Sequence, residues 1–410
     1  MQDLARPLMK AAGLRPGSVR FQIVNHNSFN AFVSGRGMFL NTGLLLQAED
    51  PNEVTGVIAH ELGHIVGGHQ IRLRERIETA SRIAKWTTLL GIGIGAAGAA
   101  SGNGQIGSAG LGLAASSGGF AMREVLRYQR DEETSADRIA VKLLKATKQS
   151  GQGMLQTFKR LARNTNILSG RVDPYLRSHP TPNDRLSVLR STVEASPYFK
   201  RKTSKALQKR HDMVRAKIAA YVGGTRYASA VLADKKVHPD ARLYGRAILA
   251  HLYGSPKRAI PLIDKLLKTN PKNAYVHEMR GEIMLRSGKA AQAASSFRKA
   301  IKYDKTKAGF LRIELGHALL ETGNKKHLKE AISHLKQGLA RDRTAVQGYQ
   351  YLAIAYGRKG ETANALLASA DHALRTGKRR RAKEYAQRAQ LQFKRGTPGW
   401  LRAQDIISFK

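Results

Sequence analysis

The sequence predicts a mainly α protein of the α+β class: an N-terminal domain of helices around a small β-sheet, followed by a solenoid of paired helices. Three observations predict it. A titratable run, His60-Glu61-Leu62-Gly63-His64, lies in an apolar helical stretch; β-rich segments precede it; and four helix-pair units recur in the second half of the chain.

The chain has 410 residues, too many for one typical core, which predicts two domains. It has no cysteine, which excludes disulfides, iron–sulfur clusters and thiolate zinc sites and leaves any metal to His and carboxylate ligands. The formal charge of +40 is uneven: residues 201–410 hold 45 Lys+Arg against 15 Asp+Glu, and residues 1–200 hold 25 against 15. Such a field favours anionic partners, or is a solvated basic surface. Nucleic acid is not an expected partner, because no DNA- or RNA-reading motif appears and the basic residues are spread over the repeats. The opening "MQDLARPLMKAAGLRPGSVRF" lacks the apolar core of a signal peptide. Taken literally that means cytoplasm, but the chain opens on the first helix of a folded domain and reads equally as a mature or truncated form.

Residues 1–50 read as a helix, then strands: "SVRFQIVN" and "NAFVSGRGMFLNTGLL" are β-rich and broken by Gly35 and Gly37, the signature of a hairpin. Residues 53–85 read as a long helix bent at Gly67-Gly68, started by "PNEV" with proline in the first turn. Residues 86–122 hold no charge; two Gly/Ala-rich apolar arms flank a polar "SGNGQ" tip. Each arm is shorter than the roughly 20 residues of a spanning helix, so the segment reads as a hairpin on a membrane surface, a flap over a site, or a plain helical pair. Its "GIGAAG" lacks the strand–turn–helix context of a nucleotide loop. Residues 123–170 read as helical, "SHPTPNDRL" as a proline-broken loop, and the stretch around 196–204 as a boundary. The expected domains are therefore 1–198 and 199–410.

In the second domain Gly245, Gly281, Gly316 and Ala353 occupy equivalent positions, 36, 35 and 37 residues apart. Each begins a small–large–Ala-x-x-x-large pattern, as in Ala293 and Phe297 or Ala331 and Leu335. That is the tetratricopeptide pattern of paired helices, with a period near 34. About four repeats are expected, with "RRRAKEYAQRAQLQF" as a capping helix.

His60 and His64 are four apart, so a helix stacks both rings on one face, with Glu61 beside them. This is the H-E-x-x-H pattern of two zinc ligands and a general base, the mark of a zincin-type metallopeptidase domain. The other reading is two ordinary helix histidines near a carboxylate. The neighbours Val54, Val57, Ile58, Leu62, Ile65 and Val66 are apolar, and burying three titratable groups among them is costly unless they are paired or bind metal. A third protein ligand is needed. His69 falls about 140° around a continuous helix and is expected to be structural or to support a ligand. "RDEETSADRIA" sets Glu133 four residues before Asp137, so Glu133 can bind the metal while Asp137 steers a ligand histidine through its outer N–H. Glu132 is the competing assignment.

"VIAHELGHIVGGH", "NAF" at Asn30 to Phe32, the E-x-x-A-D of Glu133 to Asp137, and "HPTPNDR" together resemble the gluzincin peptidases of the HtpX and CAAX-prenyl-protease family. The resemblance covers nearly the whole chain, most strongly residues 20–190. It implies one Zn²⁺ per chain on His60, His64 and Glu133, with Glu61 as base. It further implies His179 near the metal, occupying or gating its fourth position, and Arg185 holding the site or the reaction intermediate. The strand from Asn30 to Val33, with Asn30, Ala31 and Phe32 as its substrate-binding residues, offers an edge for an extended substrate, or is a plain core strand. The tetratricopeptide extension narrows the resemblance to periplasmic members, implying protein substrates among outer-membrane β-barrel proteins and their assembly machinery, with membrane-surface contact through 86–122. A chaperone or adaptor working through its repeats, with a latent protease site, is the alternative; Tyr275, Tyr349, Tyr351 and Tyr356 would line its groove or pack its core.

Overall fold

The structure is a computed structural model that describes residues 1–100, 104–167, 179 and 182–409, with side chains from 91 to 124 described only in part and those of 162–167 and 182–184 not described. It is mainly helical with one small sheet, as the sequence predicts. It divides into two compact units, Met1–Ile218 and Ala219–Lys410. The division falls later than residue 198 because the helix Lys205–Val222 begins on the first unit: His211 Nε2 donates to the Ala48 carbonyl at 2.7 Å and Arg215 Nε to the Leu46 carbonyl at 3.1 Å.

The first unit opens with α1 (Gln2–Ala11), which buries Ala5, Leu8 and Met9. Strands β1 (Arg20–Val24), β2 (Ala31–Ser34) and β3 (Gly37–Asn41) follow. The sheet order is β1-β3-β2: β3 pairs with β2 as the expected hairpin and with β1 in parallel, leaving β2 at an edge. A short α2 (Thr42–Gln47) leads to α3 (Pro51–Gly67). Its start is over-determined. Pro51 pre-sets the first turn, Asp50 Oδ1 accepts from the Asn52 N–H at 2.7 Å, and Glu53 Oε1 accepts from the Asp50 N–H at 3.3 Å.

Helix α3 ends where Gly68 adopts φ 66°, a left-handed conformation that glycine takes without strain. This realises the bend expected at Gly67-Gly68. The next helix, α4 (His69–Ala100), packs antiparallel to α5 (Gly104–Ala146), as the pairing of Arg72 with Glu132 and of Arg76 with Tyr128 shows. The apolar arms of 86–122 are thus the outer turns of two long paired helices, the plain helical pair among the expected readings; part of the polar tip, 101–103, lies outside the described residues. Among those described, no helix is long and apolar enough to cross a membrane. Helices α6 (Gln152–Ile167) and α7 (Pro182–Glu194) complete the unit. Its core joins Leu8, Phe29, Leu40, Leu44, Ile58, Leu62 and Phe158.

The second unit contains the four expected helix pairs: Pro239–Tyr253 with Pro256–Thr269, Ala274–Arg286 with Ala290–Tyr303, Gly309–Glu321 with Leu328–Arg341, and Val346–Lys359 with Thr362–Arg375. Two of the recurring small residues, Gly281 and Gly316, are where paired helices touch. A Cβ on Gly281 would stand 2.7 Å from the Phe297 ring, and one on Gly316 would stand 2.5 Å from Leu335. The expected capping helix, Arg379–Gln390, is itself paired, with Pro398–Ser408.

Candidate metal centre

Helix α3 carries His60 and His64 one turn apart, and α5 carries Glu133 and Asp137 one turn apart. The two helices touch where a side chain is missing: a Cβ on Gly63 would lie 2.6 Å from the Ala136 carbonyl oxygen. That close approach sets both imidazoles against both carboxylates. His179, far along the chain, completes the group. His60, His64, Glu133 and His179 are all buried, and each offers one ligand atom within 4.8 Å of the others.

The spacing is that of ligands around one ion. His60 Nε2 lies 3.0 Å from His64 Nε2, 3.3 Å from His179 Nδ1 and 3.3 Å from Glu133 Oε2. His64 Nε2 lies 3.2 Å from Glu133 Oε1, and His179 Nδ1 lies 2.9 Å from the same oxygen. Four ligands at zinc's usual bond lengths of about 2.0–2.1 Å would form a tetrahedron with edges of about 3.3 Å. Glu61 supplies an independent fit. Its carboxylate is fully buried beside this group, and neither oxygen has a hydrogen-bond partner. Its Oε1 lies 3.5 Å from His179 Nε2, and a buried carboxylate without a hydrogen-bond donor is costly unless a reacting water or substrate group becomes its partner.

The groups behind the ligands are equally defined. His60 Nδ1 is 2.8 Å from Asp137 Oδ1, which fixes the ring so that Nε2 points inward. Arg185 donates from Nε to Asp137 Oδ2 at 2.7 Å and from Nη2 to Oδ1 at 2.8 Å, and its Nη1 lies 2.9 Å from Glu133 Oε2. Its guanidinium also covers the Phe158 ring at 4.6 Å. Arg185 is thus engaged in holding two carboxylates together. His69 stands outside the group with its Nδ1 3.0 Å from His64 Nδ1, and its Nε2 is 2.8 Å from Glu132 Oε2. Glu132 also takes Arg72, at 3.1 Å, which leaves Glu133 alone of the two acidic neighbours in the metal-binding group.

The electrostatics follow from burial competing with neighbouring charge. Without a metal, burial pulls the His60 pKa down, but Asp137 and Glu133 outweigh it and push the ring up to about 9. Burial lowers His64, with the His60 charge acting the same way. Burial would raise Glu133, but His179, His60 and His64 hold it well below the usual carboxylate range. Asp137 is likewise held low against its burial by Arg185 and His60. A proton and a metal therefore compete for one nitrogen of His60.

A cavity of about 170 Å³ opens on the group, lined among others by Phe32, Val33, Glu61, His64, Glu133 and His179. Phe32 is 38% exposed and stacks on Phe39, with ring centroids 4.9 Å apart. Of the three residues expected to meet a substrate, only Phe32 lines this cavity. Ala31 is fully buried, and the buried Asn30 Oδ1 has no hydrogen-bond partner. Val33, in the same expected edge, lines the cavity too; sequence reasoning did not single out Gln70, another cavity residue, which reaches β2 by donating to the Val33 carbonyl and accepting from the Gly35 N–H at 3.0 Å.

Residues 1–193 match peptidase family M48. The beta-barrel assembly-enhancing protease of Escherichia coli K12 is 24% identical over 314 residues, covering 74% of this chain and 61% of that protein. The protein of the same name from Yersinia pestis is 25% identical over 292 residues, covering 68% of this chain and 57% of that one. This chain thus spans less of each relative than the relatives span of it. The solved structure of MamA is similar over 39% of this chain and 90% of its own length, at 22% identity and a TM-score of 0.32. The family match covers under half of the chain, and the H-E-x-x-H helix, its carboxylate partner and His179 all lie within it.

Proposed function

We propose that the chain is a zinc-dependent endopeptidase that cleaves misfolded or stalled proteins, foremost outer-membrane proteins of the bacterial periplasm, while its repeat unit binds substrates or assembly partners. The observation that carries this reading is the convergence of His60, His64, Glu133 and His179 beside a buried Glu61 whose oxygens accept no hydrogen bond. The names of the relatives favour the β-barrel substrate class.

His60, His64 and Glu133 would hold the zinc. When bound, zinc supplies Lewis acidity that activates water and polarises the scissile carbonyl. Glu61 accepts the proton of the attacking water and returns it to the leaving amine. Asp137 keeps the His60 donor nitrogen aimed inward, and Arg185 holds Asp137 and Glu133 in register. The β2 edge beside Phe32 and Val33 receives the substrate as an added strand. Exposed Trp86, Leu89 and Leu90 on α4 offer an apolar surface for a membrane face.

The position of His179 favours a second state. Its Nδ1 stands within the ligand group, so it fills the fourth position at rest and leaves the site latent until it moves. In that state the chain acts as a repeat-based chaperone. Glu61→Gln separates the two activities: cleavage of a misfolded β-barrel substrate should vanish while metal and partner binding remain. Cleavage that persists in this variant refutes the peptidase assignment.

A further inference from the structure

The second unit contains a cavity of about 430 Å³ whose walls come from three successive repeats. His251 lies on the first helix of one pair, Glu282 and Arg286 on the first helix of the next, and Glu314, His317 and Glu321 on the first helix of the third. In a half-chain with 45 cations and 15 acids, these walls hold three carboxylates and one guanidinium. Arg286 Nη1 donates to the His251 carbonyl at 2.5 Å, so the one cation is anchored to its own scaffold. Glu282 Oε2 accepts from the Tyr221 hydroxyl at 2.8 Å. The His317 ring lies flat on Tyr351, with centroids 4.0 Å apart.

A second observation is independent of the acids. His251 is 7% exposed, lines the cavity, and its Nδ1 has no hydrogen-bond partner. Burial and the Arg286 charge both lower its pKa, so the ring is neutral and can accept a hydrogen bond. The cavity is therefore rich in acceptors. It is not built as a metal site, because the close metal-ligating group among the described residues is the one in the peptidase unit. Spread-out acceptors fit a planar cation with several donors, and a guanidinium presents five N–H groups.

We propose that this cavity binds an arginine side chain presented by an extended protein segment. The proposal rests on the reading that the repeat unit receives protein segments, and not on the peptidase chemistry. The positive field of the whole unit opposes a cationic segment at long range, but it is screened beyond about 8 Å at physiological ionic strength. The cavity carboxylates act at contact. Binding governed by them weakens as salt rises; binding limited by the surrounding field strengthens.

The test uses the full chain carrying Glu61→Gln, so that no probe is cut. The probes are two fluorescein-labelled peptides, neutral except for one central arginine in the first and citrulline in its place in the second. The arginine peptide should bind at least about tenfold more tightly, and more weakly as salt rises. The pair Glu314→Gln and Glu321→Gln should remove that preference. Ala290 also lines the cavity, at the start of a helix where an acid is tolerated, so Ala290→Glu should tighten arginine binding, a result that loss of folding cannot produce. Equal affinity for the two peptides, a preference unchanged by the glutamine pair, or no tightening by Ala290→Glu overturns the proposal. An unfolded outer-membrane porin serves as control: if it binds while the peptides do not differ, the arginine site fails and the reading of the repeats stands; if it does not bind, both fail.

Discussion

Gly63 on α3 rests against the backbone of Ala136 on α5, so closely that a Cβ at Gly63 would stand 2.6 Å from the Ala136 oxygen and 2.9 Å from its Cα. No side chain fits there. Because His60 and His64 flank Gly63, and Glu133 and Asp137 flank Ala136, this contact sets the distance between the two halves of the metal centre. Gly63→Ala should destabilise the first unit by roughly 1–3 kcal/mol through overpacking and should also weaken metal binding. Denaturant unfolding and metal titration of the same variant check both. Retention of full metal affinity would show that this contact does not gauge the site.

Asp137 touches no ligand atom of the proposed metal and instead holds the His60 Nδ1 at 2.8 Å. Asp137→Asn should keep the fold and lower metal affinity by roughly 10–100-fold, as loss of such support does elsewhere. Competition against a chelator of known affinity measures it. Arg185→Met is expected to be harsher, because it removes the guanidinium that bridges two buried carboxylates, at a cost of about 3–5 kcal/mol in denaturant unfolding.

His179 Nδ1 lies 3.3 Å from His60 Nε2 and 2.9 Å from Glu133 Oε1, within the candidate ligand group. If it blocks the site at rest, His179→Ala should raise the basal rate on an unstructured reporter peptide while metal content stays constant. A rate that falls at unchanged KM would instead assign the ring to the reaction itself, as a donor to the developing oxyanion.

His211 links stability to pH away from the metal. Its buried ring donates to the Ala48 carbonyl, and burial holds its pKa below 6.5 against that contact. The unfolded ring takes up its proton near pH 6.5 while the folded ring resists, so the unfolded state binds more protons and stability falls as pH drops below that value. Above it, the contribution is complete. His211→Gln keeps an N–H donor and cannot titrate. It should lose less stability than the parent chain between about pH 7.5 and 5.5, measured by urea midpoints. Equal losses would remove His211 from the pH response.

The sequence made the two ends of this molecule legible for different reasons. In α3 and α5 the chemistry is periodic, so His60 with His64 and Glu133 with Asp137 announce shared faces before any contact is known. The repeats are legible because Gly281 and Gly316 must be small where Phe297 and Leu335 press on them. What the sequence hid is non-local. Nothing in the spacing of Gly63 shows that Ala136 will lie on it. Nothing around Val33 shows that Gln70 will satisfy its backbone, since a side chain and a carbonyl 37 residues apart share no pattern. The acceptor-rich cavity of the repeats was masked by the charge of the half that contains it, because a sum over 210 residues says nothing about where Glu282, Glu314 and Glu321 converge.

The most direct measurement is the metal content of the purified full chain, by elemental mass spectrometry after dialysis, for the parent and for Glu133→Ala. A shared site on α3 and α5 predicts one zinc per chain in the parent and a large loss in the variant, with folding retained by circular dichroism. A parent chain that carries no metal, or a variant that binds zinc as well as the parent, would contradict it.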